Sequence, residues 1–153
     1  MSLTINLPTE RCSQEFAATL ASILKPALTL VFSGDIGTGK TTIIRAMLQA
    51  AGVSCAIKSP TFSLVESYQI GHLAVHHFDF YRLHDESELD CMGFRDYFTS
   101  DTICCIEWPE RVAGFLERSD LSFTLSPCGL GREMSIRAYS AKGASMLSCL
   151  SHA

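Results

Sequence analysis

The 153-residue sequence has no apolar run of membrane-spanning length: its most hydrophobic early stretch, ALTLVF from Ala27 to Phe32, falls far short of the roughly 20 residues needed. It also lacks a basic start followed by an apolar run, so the opening MSLTINLPTERCSQ does not read as a secretory signal. The expected location is the cytoplasm, with no membrane contact. Basic clusters are missing too. The 12 Lys and Arg residues are scattered and the formal charge is −4, so the chain has no electrostatic footprint for neutralising a row of phosphates. No C-x-x-C occurs among the seven cysteines, and their odd number signals neither a disulfide framework nor a zinc knuckle. Cys104 and Cys105 lie inside the apolar run ICCI, where burial keeps a thiol protonated and inert.

What is present describes one folded unit. The chain is 47% hydrophobic and 18% charged, enough to bury a single core without metal or disulfides, and no linker or repeat divides residues 1–153. Phe16, Leu20, Ile23 and Leu24 recur at helical spacing over residues 10–24, ended by Pro26. Residues 27–33 form a buried strand pattern closed by Gly34, and residues 41–51 carry a helical apolar face closed by Gly52. Two strand-like runs, 63–70 and 72–79, flank Gly71 and predict a hairpin. Short helices are expected over 85–92 and 94–98, a second buried strand over 102–107, and further strands over 121–125 and 134–139 around the turn-rich SPCGLG. A weak helix over 141–150 ends the pattern, and the tail after about residue 140 carries no motif.

The chemistry centres on GDIGTGKT, residues 34–41, lying directly between a strand and a helix. The spacing G-x-x-x-x-G-K-[ST] is met by Gly34, Gly39, Lys40 and Thr41, with Gly37 as an extra glycine. Glycines let the backbone of Gly34, Asp35, Ile36, Gly37, Thr38 and Gly39 wrap closely and turn its N–H groups inward, while the helix start at Lys40, Thr41 and Thr42 adds partial positive charge. Lys40 would reach the β- and γ-phosphates, and the Thr41 hydroxyl would meet Mg²⁺. Phosphoryl chemistry also needs carboxylates, which open α/β sheets present at the C-terminal ends of strands. Glu107 ends TICCIE and Asp79 ends HLAVHHFD. Glu107 is the first choice for the metal side and Asp79 for positioning water, and the reverse assignment stays open. Pro60 fixes a turn from which Thr61 can present its hydroxyl to a γ-phosphate. His76 and His77 point to opposite faces of their strand and read as packing or surface residues. Trp108 reads as core, and Arg132 as an isolated cation able to approach adenine or phosphate. With one asparagine, Asn6, the chain cannot form the N-K-x-D signature associated with guanine selection.

Taken together, GDIGTGKTT, SPTFSLVESY, HFDFYRL, MGFRDYF and CIEWPE resemble the bacterial TsaE (YjeE) family, small P-loop ATPases needed for threonylcarbamoyladenosine beside the anticodon of tRNA. The resemblance implies an α/β, P-loop NTPase-like three-layer fold with a mixed, mainly parallel central sheet, and ATP and Mg²⁺ as ligands. It implies roles for Lys40, Thr41, Thr61, Asp79 and Trp108, with Glu107 as the metal-side glutamate and Glu10 and Arg132 near the adenosine. It further implies that the ATPase resets a complex of the threonylcarbamoyl transferase and its pseudo-enzyme partner, touching tRNA only indirectly. Thr38 replaces a common alanine and Phe80 a common leucine, both mild departures. A small-molecule kinase is the rival enzyme reading, although no Arg-rich lid segment is visible. A non-hydrolysing nucleotide switch is the rival of a different class.

Overall fold

The computed structural model describes residues 1–60 and 63–152. Its strands are β1 (Ser2–Leu7), β2 (Leu28–Ser33), β3 (Val65–Ile70), β4 (Leu73–Asp79), β5 (Thr102–Glu107), β6 (Leu121–Cys128) and β7 (Gly131–Ala138). The α-helices are α1 (Glu10–Ser22), α2 (Lys40–Ala50), α3 (Ser87–Cys91) and α4 (Ala141–Ser151). The strands form one seven-stranded sheet in the order β1-β7-β6-β2-β5-β4-β3. Pairing is parallel through the centre, from β6 across β2 and β5 to β4, and antiparallel at both flanks. The expected mixed α/β sheet is therefore present, with its parallel strands grouped where the phosphate loop emerges.

Strand alternation divides the core between two faces. Leu28, Leu30 and Phe32 of β2 pack in one cluster with Ile43, Ile44, Met47 and Leu48 of α2, Leu20 of α1, and Met146, Leu147 and Leu150 of α4. Val31 points the other way, into a cluster with Phe78, Phe80, Phe94, Ile106 and Phe115. Several phenylalanine pairs there meet edge to face, as in Phe78–Phe94 at 5.1 Å between centroids, an arrangement that aligns ring edges with ring faces. Cys104 and Cys105 are buried. Burial pushes the Cys104 thiol up to about 12 and raises that of Cys105 as well.

β1 was not expected from the sequence, although Leu3, Ile5 and Leu7 alternate with exposed Ser2, Thr4 and Asn6. Its partner is remote: Ser2 pairs with Arg137 and Leu7 with Arg132. The β6 and β7 strands also run further than their composition suggested, leaving only Gly129 and Leu130 as the connection, with Gly129 left-handed at φ 61°. Conversely, the helical pattern over 94–98 yields only a 3-10 turn, Phe94–Tyr97, because Gly93 at φ 71° breaks the chain away from α3. Among the described residues no helix is long and apolar enough to cross a membrane.

Candidate functional site

The loop from β2 to α2 is shaped by two glycines. Gly34 takes φ 140°, and a Cβ there would collide with the carbonyl of Leu125 on β6, so the loop leaves the sheet flush against its neighbour. Gly39 takes φ 98° as the residue preceding α2, and a Cβ there would meet the Arg132 guanidinium. Between them Thr38 closes the turn, its Oγ1 donating to the Asp35 carbonyl at 2.7 Å. The N-termini of α1 and α4 are capped by Thr9 and Ser140 side chains, whereas α2 has no side-chain cap. The first-turn N–H groups of α2 are thus left for an anion. Lys40, buried in the first turn, turns its ammonium back to donate to the carbonyls of Gly34 and Asp35, the latter at 3.0 Å.

The acidic side comes from the parallel pair β4 and β5. Their register sets Asp79 beside Glu107, so both carboxylates end level with the loop. Glu107 is 3% exposed, and Thr41 Oγ1 donates between its two oxygens at 3.0 and 2.9 Å. His77 Nε2 lies 2.7 Å from Glu107 Oε2. Asp79 Oδ1 accepts the Tyr81 backbone N–H at 3.0 Å. Burial raises the Asp79 pKa, and the Glu107 charge adds to the rise against the opposing pull of the Tyr81 hydrogen bond, His77 and Lys40.

Trp108 and Arg132 bound the cleft. Trp108 is left-handed at φ 60°, an uncommon conformation for a bulky residue, and its backbone N–H donates to the Phe32 carbonyl at 3.2 Å. This turn swings the indole to 4.5 Å from the Lys40 ammonium and 5.0 Å from the Tyr81 ring. Arg132 reaches across from β7, and its Nη1 is buried without a protein hydrogen-bond partner. A buried guanidinium N–H in that state calls for an acceptor, and this one lies against Gly39 at the uncapped start of α2. The open cleft between Trp108 and Arg132 has a volume of about 380 Å³. A slightly larger cavity, about 410 Å³, lies among Phe94, Phe98, Phe115 and Arg118 and is lined by none of these loop or acidic residues.

Of the residues singled out by sequence, Ile36, Gly37, Gly39, Lys40, Thr41, Thr42, Asp79, Glu107, Trp108 and Arg132 line the cleft. Gly34, Asp35 and Thr38 belong to the same loop but are not part of the cleft lining. Glu10 begins α1 as an exposed residue outside the cleft lining, and Thr61 lies outside the described residues. Sequence reasoning gives Tyr81 no role and reads His77 as a packing or surface residue, whereas Tyr81 lines the cleft and His77 is buried against Glu107. The i, i+2 spacing of His77 and Asp79 puts both on one face of β4 and was the available signal.

The oxygens at hand fit magnesium. A hydroxyl and one carboxylate are hard ligands of the kind Mg²⁺ takes from protein while drawing the rest from phosphate and water. Among the described residues no group of three or more His, Cys, Asp or Glu side chains is arranged to hold a metal.

A family model described as threonylcarbamoyl adenosine biosynthesis protein TsaE matches residues 7–134. The chain is 39% identical to the tRNA threonylcarbamoyladenosine biosynthesis protein TsaE of Haemophilus influenzae, covering 99% of each sequence. It is 32% identical to the protein of the same name from Bacillus subtilis, over 76% of this chain and 73% of the relative. Among solved structures, Bacillus subtilis YdiB superposes with a TM-score of 0.75 at 24% identity, covering 99% of this chain and 95% of that one, a likeness of fold.

Proposed function

This chain belongs to the TsaE family of threonylcarbamoyl adenosine biosynthesis proteins, and on that premise we propose that it is a cytoplasmic magnesium-dependent ATPase. Its turnover serves the formation of threonylcarbamoyladenosine beside the anticodon of tRNA, by binding and resetting the threonylcarbamoyl transferase and its pseudo-enzyme partner. The observation that carries the reading is the meeting of Thr41 and Glu107 at the uncapped start of α2.

Each side chain has a task there. Lys40 exchanges the carbonyls of Gly34 and Asp35 for phosphate oxygens, and Arg132 supplies a second cation from the opposite wall. Thr41 and Glu107 would hold Mg²⁺, which when bound offsets charge on the phosphate oxygens. Asp79 has Oδ1 engaged by Tyr81, leaving Oδ2 to orient water and accept its proton. Its raised pKa makes it a better proton acceptor than an ordinary surface aspartate. The net charge of −4 favours contact with protein partners over direct contact with tRNA, and the lack of a second asparagine favours ATP over GTP.

The test is ATP hydrolysis measured alone, then with the transferase pair and tRNA. Stimulation by the full assembly is expected. Consumption that depends on a metabolite and ignores those partners would indicate a kinase, and binding without turnover in the full assembly would indicate a pure switch. We further propose that ATP orders the segment containing Thr61 for docking. Partner affinity should then be higher with a non-hydrolysable ATP analogue than with ADP; equal affinities remove that part, since a ligand without differential binding shifts nothing.

A further inference from the structure

Among the described residues, Lys40, His77 and Glu107 are the side chains of charged type buried to 5%, 1% and 3% exposure. Lys40 and Glu107 have tasks in the proposed chemistry; His77 has none so far. An imidazole sealed inside a strand is costly unless its nitrogens find partners, and here Nδ1 has none. The ring's one hydrogen bond is Nε2 to Glu107 Oε2, at the short 2.7 Å expected where one partner is ionised.

That bond breaks a symmetry. The terminal torsion of a glutamate is broad and nearly two-fold, and the single Thr41 hydroxyl proton lies between the two Glu107 oxygens at 3.0 and 2.9 Å, so it selects neither. His77 contacts Oε2 alone. A carboxylate that holds a cation is ionised and can only accept, so on the magnesium reading Nε2 is the donor of this contact. We propose that His77 is a positioning residue: by donating Nε2–H to Oε2 it fixes the Glu107 carboxylate plane and leaves Oε1 as the oxygen offered to the cation. Histidine–carboxylate partners of this sort set ligand orientation and are worth about 10–100-fold in metal affinity.

This inference rests on the magnesium reading, and the experiment separates the two. Binding of a non-hydrolysable ATP analogue is titrated calorimetrically with Mg²⁺ and with EDTA in the unmodified protein, His77→Leu and His77→Gln. The expected result is a roughly 10–100-fold rise in the Mg²⁺ concentration needed by His77→Leu, unchanged binding in EDTA, and substantial recovery in His77→Gln, whose side-chain amide can donate at similar reach. A packing role alone would alter both arms together or neither, and either outcome overturns the proposal. If the unmodified protein binds the analogue equally with and without Mg²⁺, the magnesium reading falls and takes the inference with it. Should His77→Leu not fold, ¹⁵N NMR of the unmodified protein still decides. The imidazole must show a protonated, exchange-protected Nε2, and Glu107→Gln must shift the Nε2 resonance; an unprotonated Nε2 or no shift overturns the proposal.

Discussion

The two flanks of the phosphate loop differ in charge and in the way the chain delivers them. On one flank the parallel strands β5 and β4 end in Glu107 and Asp79 at the same level, and both carboxylates arrive at strand C-termini. On the other, Arg132 stands near the beginning of β7, brought level with the loop only because β7 runs antiparallel to β6. The acidic flank is therefore organised by strand ends and the basic flank by a reversal of direction. On the proposed reading the first would handle cation and water, and the second the anion alone.

That division can be broken by substitution. Lys40→Ala, which strips the loop itself, is expected to weaken nucleotide binding about 100-fold, the size of one lost charge-assisted contact of about 3 kcal/mol, in calorimetric titration with or without Mg²⁺. Glu107→Ala is expected to remove the Mg²⁺-dependent share of binding while sparing binding in EDTA; equal loss in both would erase its assignment to the metal side. Arg132→Ala is expected to weaken binding about 10-fold, from about 1.5 kcal/mol, in both conditions. A loss confined to Mg²⁺ would merge the two flanks.

Smaller effects sharpen the contrast within the acidic flank. Because the Asp79 pKa lies above its ordinary 3.8, ionisation costs the folded state. That cost is absent well below the ordinary value and complete above the raised one. Asp79→Asn, measured without nucleotide or Mg²⁺, should therefore melt slightly higher than the unmodified protein at pH 7, by on the order of 1–2 °C. The difference should vanish near pH 3, even as turnover falls; a lower melting point at pH 7 would contradict this. Smallest of all, alkylation at pH 8 should modify exposed Cys55, Cys91, Cys128 and Cys149 and spare buried Cys104 and Cys105, detectable by mass spectrometry without denaturant.

Legibility in the sequence followed the same divide. The loop, α2 and the span Thr102–Glu107 could be read directly because glycine spacing, apolar periodicity and a terminal carboxylate are local signals. Both acids were found because parallel strands present ligands at their C-terminal ends. Arg132 remained an isolated cation because that rule does not point to the start of an antiparallel strand. β1 was missed although Leu3, Ile5 and Leu7 alternate, since a short period-two run acquires meaning only from its remote partner. His77 read as packing because alternation assigns a residue to a face without naming its neighbour across the sheet. The turn-rich SPCGLG misled in the other direction: cross-strand pairing carried β6 through Pro127 to Cys128 despite its composition.

The pairing of β1 with β7 also orders events during synthesis. Ser2–Leu7 is made before the other described strands but meets its sheet partner only when Gly131–Ala138 has emerged, while β5 can pair with β4 and with β2 earlier. At about 5–20 residues per second, the nascent chain spends on the order of ten seconds with its leading edge unzipped. The strand it awaits is the one bearing Arg132, so the cleft beside the glycine loop is completed only once Gly131–Ala138 has been made, and a product terminated before it would carry the glycine loop without the Arg132 guanidinium.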